Sequence, residues 1–303
     1  MSLRYFHYDV FTDTPFEGNQ LAVFPEPPRD IAPELMQRIA AEMNFSESTF
    51  IFPAEGKGDV RMRIFTPAEE LPMAGHPTIG STFALADEGT IAAGRDGFVF
   101  ELGVGPTPVS LEWANGRLAF AWMTQPLPSF GQTSDAGLFA AALGLDATDT
   151  VPALPAQRIS CGVPFLYVPL TSRNAVDRVS IDRRAFAAAC RRAGFEELPV
   201  FLFTTDRQGA TGDETVYSRM LAPGFGIGED PATGSASGPL GCYLVEHGAL
   251  DAGLARSFVS LQGVAMRRPS RLFISIDSQD GAITRVRVGG QAVCVGEGEI
   301  RVR

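Results

Sequence analysis

Two stretches of the chain repeat one pattern, and this repeat decides the fold. The first reads Arg63-Ile64-Phe65-Thr66-Pro67, then Met73-Ala74-Gly75-His76-Pro77 and a small, apolar run to Ala86. The second reads Arg219-Met220-Leu221-Ala222-Pro223, then Glu229-Asp230-Pro231-Ala232-Thr233-Gly234-Ser235 and a similar run to Val245. Each pattern predicts a strand followed by a glycine-rich start of a helix. Because helix N-termini bind anions, the pair predicts a small anionic ligand in a cleft between two related domains.

Composition narrows the class of protein. The 303 residues are 45% hydrophobic and carry a formal charge of −10, so we expect packed cores and no nucleic-acid partner. The amino terminus lacks the apolar core of a signal peptide, and no window has the apolar length of a membrane span. The four cysteines are far apart, which favours reduced thiols in a cytoplasmic protein over a zinc site or a disulfide framework.

The repeat also predicts the domain boundaries. We expect a first domain over residues 1–125 and a second over 126–290, with a last strand over 291–303 as a candidate to complete the first. The segment Thr124–Ser134, with two prolines and a glycine, is the predicted linker. Helices are predicted over 32–43, 77–86, 182–193 (capped by Asp182) and 234–246, with strands between them.

The prolines near the two repeated helices predict how each begins. Pro77 is typical of the first helical position, which makes His76 the expected cap. Pro239 is tolerated only in a first turn, so the second helix is not expected to begin much before Ser235. This arrangement predicts free N–H groups from Gly234 to Gly238, although ordinary structural helix starts remain an alternative.

Four side chains are candidates for chemistry. His76, one of three histidines, lies at the first helix start, and Asp230 and Ser235 hold matching places in the second copy. Glu47 is an acid within the apolar stretch Phe45–Phe52, where burial would suit proton exchange near neutral pH. The alternative for Glu47 is an exposed or structurally paired acid. Motifs of nucleotide, zinc-protease and serine-hydrolase sites are missing, which leaves acid–base chemistry without metal or cofactor.

At this point the motifs resemble a known family. Asp9-Val10-Phe11-Thr12 with Gly18-Asn19, then Phe45-Ser46-Glu47-Ser48, Met73–Thr78 and Gly228–Ala236 together resemble the phenazine-biosynthesis PhzF-like isomerases, relatives of diaminopimelate epimerase. The resemblance implies an α/β (α+β mixed) fold of two pseudo-symmetric domains. In each domain a curved mixed sheet wraps around a central helix, and the active site lies between the domains. It also implies a homodimer without a cofactor.

The resemblance further assigns roles to residues. It implies that Glu47 is the proton shuttle, with His76 and Asp230 as its catalytic partners, and that the substrate is a small carboxylate such as trans-2,3-dihydro-3-hydroxyanthranilate. Ser235 would contact the substrate, whose carboxylate would be held by the backbone near Gly75 and Gly234. Asn19 and Thr233, in the same motifs, complete the predicted substrate-binding set.

Other functions stay open at this stage. An amino-acid epimerase or racemase is one alternative, although Ala74 and Pro231 occupy the places of the two thiols that diaminopimelate epimerases use. A hydrolase built on Ser235, His76 and Asp230 is disfavoured by the missing nucleophile motif. A non-catalytic carboxylate-binding protein, with Glu47 as a structural acid, is the third.

Overall fold

The computed structural model describes residues 1–225, 227–250, 253 and 256–302. The chain divides into two compact units, Met1–Gln125 with Arg287–Arg303 and Pro126–Val286. In the parts of the chain that are described, no helix combines the length and the apolar character needed to cross a membrane.

The first unit combines a mixed sheet with helices α1 (Pro33–Met43) and α2 (Gly75–Asp87). Its strands are β1 (Ser2–Val10), β2 (Asn19–Phe24), β3 (Glu47–Pro53), β4 (Val60–Phe65), β5 (Glu70–Leu71), β6 (Gly97–Leu102), β7 (Gly105–Ala114) and β8 (Arg117–Gln125). β1 pairs antiparallel with β2, β2 runs parallel to β3, and β3 pairs antiparallel with β4. β4 then pairs antiparallel with β5 and parallel with β6, and β6, β7 and β8 continue antiparallel.

The second unit follows the same order. Its helices are α3 (Gly137–Ala140), α4 (Arg173–Arg178), α5 (Arg183–Ala193) and α6 (Gly234–Glu246). Its strands are β9 (Ser129–Ser134), β10 (Ala156–Ser160), β11 (Pro164–Pro169), β12 (Val200–Thr204), β13 (Val216–Ala222), β14 (Ile227–Asp230), β15 (Ser257–Gln262) and β16 (Ser270–Gln279), followed by β17 (Ala282–Gly290), which runs on into the first unit. β10 to β15 repeat the pairing directions of β1 to β6.

In each unit one further strand pairs with the first strand of the repeat. β18 (Ala292–Arg301) pairs antiparallel with β1, from Ser2 opposite Arg301 to Val10 opposite Ala292. In the second unit β9 pairs antiparallel with β10. The predicted linker was therefore too long, because Ser129–Ser134 is a strand whose polar, glycine-containing sequence resembles a loop.

A buried helix lies against the sheet of each unit. α2 is buried from Gly75 to Leu85 and packs on β1, β2, β3 and β8, as a helix apolar on all sides requires. Gly80 permits the approach, since a Cβ there would lie 2.6 Å from side-chain atoms of Leu21 and Val10. α6 packs on β10, β11 and β16. A mixed sheet with a buried helix against it in each of two units confirms the predicted fold class.

The outer face of each sheet carries a second layer. In the first unit Met36 and Ile39 of α1 pack into a cluster with Phe24 and Phe50, whose rings stack at 4.6 Å. In the second, α5 begins where predicted, because the Asp182 side chain accepts from the Ala185 N–H, and it buries Phe186. Burial of one such aromatic side chain contributes roughly 1.5–3 kcal/mol. These layers fix the strands that carry the candidate site residues.

Candidate active site

The helix α2 begins two residues earlier than its sequence suggests. Ala74 is the N-cap, in extended conformation, and Gly75 is the first helical residue. His76 is therefore not the cap; it occupies the second position and Pro77 the third. The physical reason is that every N–H of a first helical turn lacks an internal partner, so proline is tolerated beyond the first position. The Thr78 hydroxyl donates to the Ala74 carbonyl at 2.8 Å and tightens this turn.

Glu47 and His76 are in contact. Glu47 begins β3, in the parallel register that sets it opposite Leu21, and its side chain is 14% exposed. The Oε2 atom of Glu47 lies 3.0 Å from Nε2 of His76, which is 4% exposed. The distance is that of a hydrogen bond, while the angle lies outside the usual range. An acid from β3 and a buried imidazole from α2 are thus in direct contact.

Asn19 extends this contact to a third side chain. It is fully buried at the start of β2, and its Nδ2 atom lies 3.3 Å from Nδ1 of His76. The structure therefore brings together Asn19, His76 and Glu47, while Gly75 is the helix residue directly before His76. We name these three side chains the acid–imidazole group.

The His76 ring is neutral at pH 7. Burial lowers the pKa of its imidazole to about 3, and a contact with the backbone of Gln20 acts in the opposite direction. A carboxylate 3.0 Å away would favour the charged ring, but complete desolvation outweighs it. A neutral imidazole can donate or accept a hydrogen bond towards the Glu47 side chain, which makes the pair a candidate for acid–base chemistry.

The second unit carries a different polar group at α6. Thr233 is the N-cap, and its hydroxyl donates to Oδ2 of Asp230 at 2.5 Å. Both side chains are at most 9% exposed. Gly234 and Ser235 are the first two helical residues, so the helix starts where predicted. The reason given for that start was wrong, because Pro239 is the sixth helical residue and lies beyond the first turn. We name the set Asp230, Thr233 and Gln262 the carboxylate–amide group, because the buried Gln262 bonds to both of the others.

The predicted set of free N–H groups over Gly234–Gly238 was wrong. The N–H groups of Ala236 and Ser237 donate to the Thr233 carbonyl, each at 3.1 Å. The Ser237 hydroxyl donates to the same carbonyl, as Thr78 does to Ala74 in α2. The first turn of α6 thus closes on its own cap.

Sequence reasoning missed Gln262. The amide ends a strand that also holds two serines, and the sequence gives no local sign that Gln262 is fully buried. In the described parts of the chain no group of three or more His, Cys, Asp or Glu side chains is placed to hold a metal ion.

Comparison with known proteins decides the family. Residues 8–298 match the family model described as phenazine biosynthesis-like protein. The chain belongs to this family. It is 36% identical over 295 residues to the trans-2,3-dihydro-3-hydroxyanthranilate isomerase of Pseudomonas aeruginosa, covering 97% of this chain and 98% of that one. The chain is thus an enzyme of a family of isomerases and epimerases, as the motifs predicted.

Solved structures agree with this assignment. The PhzF-family protein of Bacillus anthracis is 25% identical over the full length of both chains, with a TM-score of 0.87. A hydroxyproline epimerase of Agrobacterium vitis matches 99% of this chain and 92% of its own, with a TM-score of 0.65 at 13% identity. The second likeness shows that the fold is shared with an epimerase.

Proposed function

We propose that the protein is a cofactor-independent isomerase that moves a proton between two carbons of a small cyclic or unsaturated amino or hydroxy carboxylate. The observation that supports this most is the contact between the Glu47 carboxylate and the neutral His76 ring. The name of the Pseudomonas aeruginosa relative makes trans-2,3-dihydro-3-hydroxyanthranilate the reference compound.

Glu47 carries the proton in this proposal. Its carboxylate removes a proton from a carbon beside the unsaturated system, and the electron pair of that C–H bond moves into the conjugated system. The protonated Glu47 then gives the proton to the other end of that system. One C–H bond breaks and another forms, so atoms and charge balance. General acid–base groups of this kind contribute about 10²- to 10⁴-fold to a rate.

His76 and Asn19 fix the shuttle. Asn19 contacts Nδ1 of the ring, and the other ring nitrogen faces Glu47. A neutral ring holds the carboxylate without cancelling its charge, which an imidazolium would do. We also propose Asp230 as a catalytic partner, with Gly75, Thr233, Gly234 and Ser235 as substrate contacts. We further propose that the protein forms a homodimer and is located in the cytoplasm.

Proton NMR in deuterated water tests the proposed reaction. Wild type, Glu47→Gln and Glu42→Gln are incubated with the reference compound and with cyclic and acyclic amino acids; Glu42 is an exposed acid of α1. We expect isomerisation with solvent deuterium in the product for wild type and Glu42→Gln, and none for Glu47→Gln.

Three results would contradict the proposal. Equal turnover by Glu47→Gln would remove the shuttle. Exchange of the α-hydrogen with inversion of an L-amino acid would assign an epimerase, the alternative that the shared fold keeps open. Thermal stabilisation by a carboxylate without exchange of any hydrogen would assign a binding protein.

A further inference from the structure

Gln262 makes three hydrogen bonds to the segment that precedes α6. Its Nε2 atom donates to the Asp230 carbonyl at 2.8 Å and to Oγ1 of Thr233 at 3.0 Å. Its Oε1 atom accepts from the Thr233 N–H at 3.1 Å. The orientation of the amide follows from these partners, since a reversed amide would set its oxygen against a carbonyl. A fully buried side chain thus binds residues about thirty positions earlier in the chain.

The next residue supports the same segment from a second side. Gly263 has a φ of +78°, and a Cβ there would lie 2.5 Å from the Pro231 carbonyl oxygen and 2.3 Å from that of Arg268. Backbone therefore packs directly on backbone between Asp230 and Thr233. This contact does not depend on the amide of Gln262, and both interactions support the same four-residue segment, Asp230–Thr233.

The hydrogen bonds also set the direction of one proton. A threonine hydroxyl has a single proton, and the amide of Gln262 donates to the Thr233 oxygen. The Thr233 proton is then directed to Oδ2 of Asp230, 2.5 Å away. Charge-assisted bonds of this kind are short and strong, so they fix the carboxylate in one rotamer.

We propose that Gln262 is a positioning residue for Asp230 and Thr233 in the reaction. The inference rests on the proposed function, because it takes Asp230 to act on the substrate. Gln262 acts through these two residues, by holding the carboxylate oxygens and the threonine hydroxyl in one arrangement. Misplacement by about 1 Å can lower a rate about 10²-fold, which makes such support measurable.

Three variants test this role. Gln262→Met keeps the size but loses every hydrogen bond, and Gln262→Glu keeps the acceptor for the Thr233 N–H. The control is Ser260→Ala, which removes a buried hydroxyl of the same strand that lies 3.0 Å from Oγ of Ser218. The measurements are kcat and KM against pH, and hydrogen exchange of the Thr233 amide.

We expect Gln262→Met to lose up to about 10²-fold in kcat with a smaller change in KM, and to exchange the Thr233 amide faster. Gln262→Glu should protect that amide and regain part of its activity relative to wild type as the pH falls, because a protonated carboxyl can donate one of the two hydrogen bonds that the amide donates. Ser260→Ala should change neither kcat nor exchange.

Other outcomes separate the two proposals. If Gln262→Met matches Ser260→Ala in kcat and in exchange, the positioning role is overturned. If the wild type moves no proton on any compound, the proposed function fails, and Thr233 exchange alone decides whether Gln262 holds the turn. Normal exchange in Gln262→Met would then overturn the positioning role too.

Discussion

The two buried helices begin alike and carry different chemistry. Each has a glycine at its first position and a hydroxyl four residues after the cap that bonds back to the cap carbonyl. At α2 the neutral imidazole of His76 contacts the acid Glu47. At α6 the Thr233 hydroxyl donates to the acid Asp230, and the amide of Gln262 donates to that hydroxyl. The duplicated backbone thus serves as a support on which each copy has acquired its own polar group.

The strand registers show why Glu47 has no counterpart. Phe50 pairs with Arg63 in the first unit and Leu202 pairs with Arg219 in the second. When the arginines are matched, the position of Glu47, three residues before Phe50, falls on Pro199. The residue before β12 is therefore a proline that can neither accept nor give a proton. The proposed shuttle therefore has no counterpart in the second unit.

Removal of the acid should break this asymmetry most strongly. Glu47→Gln keeps the shape of the side chain but cannot take a proton, so we expect kcat to fall about 10³- to 10⁴-fold with an unchanged melting temperature. The rate of deuterium incorporation measures it. A loss no greater than that of the exposed control Glu42→Gln would contradict the role.

The second largest effect concerns stability: the two matched arginines, Arg219 and Arg63, should contribute differently to the free energy of unfolding. Nη1 of Arg219 donates to the carbonyls of Val176, Asp177 and Val179, while Nε and Nη2 pair with Glu229. Arg63 pairs with Glu70 at 2.6 and 2.7 Å, at a more exposed position.

Arg219→Met should therefore lower the free energy of unfolding by about 3–5 kcal/mol because it leaves three carbonyls and the partly buried carboxylate of Glu229 without the guanidinium. Arg63→Met should lower it by about 1 kcal/mol or less. Urea denaturation measures both. Equal losses of unfolding free energy would show that the ion pairs Arg63–Glu70 and Arg219–Glu229 contribute equally to stability.

The neutral ring of α2 gives a smaller, pH-dependent effect. His76 has a folded pKa of about 3 against an ordinary value of 6.5, so below pH 6.5 the unfolded chain binds a proton that the folded chain does not. Stability from His76 is complete above pH 6.5 and is lost as the pH falls towards 3. Between pH 7 and pH 5 the loss is about 2 kcal/mol.

The measurement is the free energy of unfolding of wild type minus that of His76→Gln at each pH. The subtraction is needed because burial also lowers the pKa of His247. A difference that does not change with pH would show that burial does not lower the pKa of His76, and a difference that grows as the pH falls would show that the folded ring is charged; either result would contradict a neutral partner for Glu47.

The smallest expected effect lies under α6. The Tyr167 hydroxyl donates to the Ala236 carbonyl at 2.6 Å, within the second unit's core. Tyr167→Phe should cost about 1 kcal/mol of stability, since one buried hydrogen bond is lost. Thermal unfolding measures it, with Tyr5→Phe as a partly exposed control. No change would mean that the carbonyl finds another donor.

Sequence reasoning reached features that local patterns encode. The repeat, the buried helices and the cap at Asp182 follow from spacing and composition, and Glu47 stood out as an acid among apolar neighbours. Gln262 was missed because its partners are set by the parallel pairing of β13 with β15, which no local pattern shows. The exact start of α2 was missed because proline fits several positions of a first turn.

The pairing of β1 with β18 sets an order of synthesis and folding. The second unit is one continuous segment, so its strands are all available once Val286 has left the ribosome. The first unit must wait for residues 292–301, about 290 positions after the strand that they cover. Until then β1 presents an open edge, and such edges invite pairing with other chains. A purified chain truncated after residue 290 should therefore keep a protease-resistant second unit, while its first unit, with the edge of β1 open, should be cleaved more readily than in the full chain.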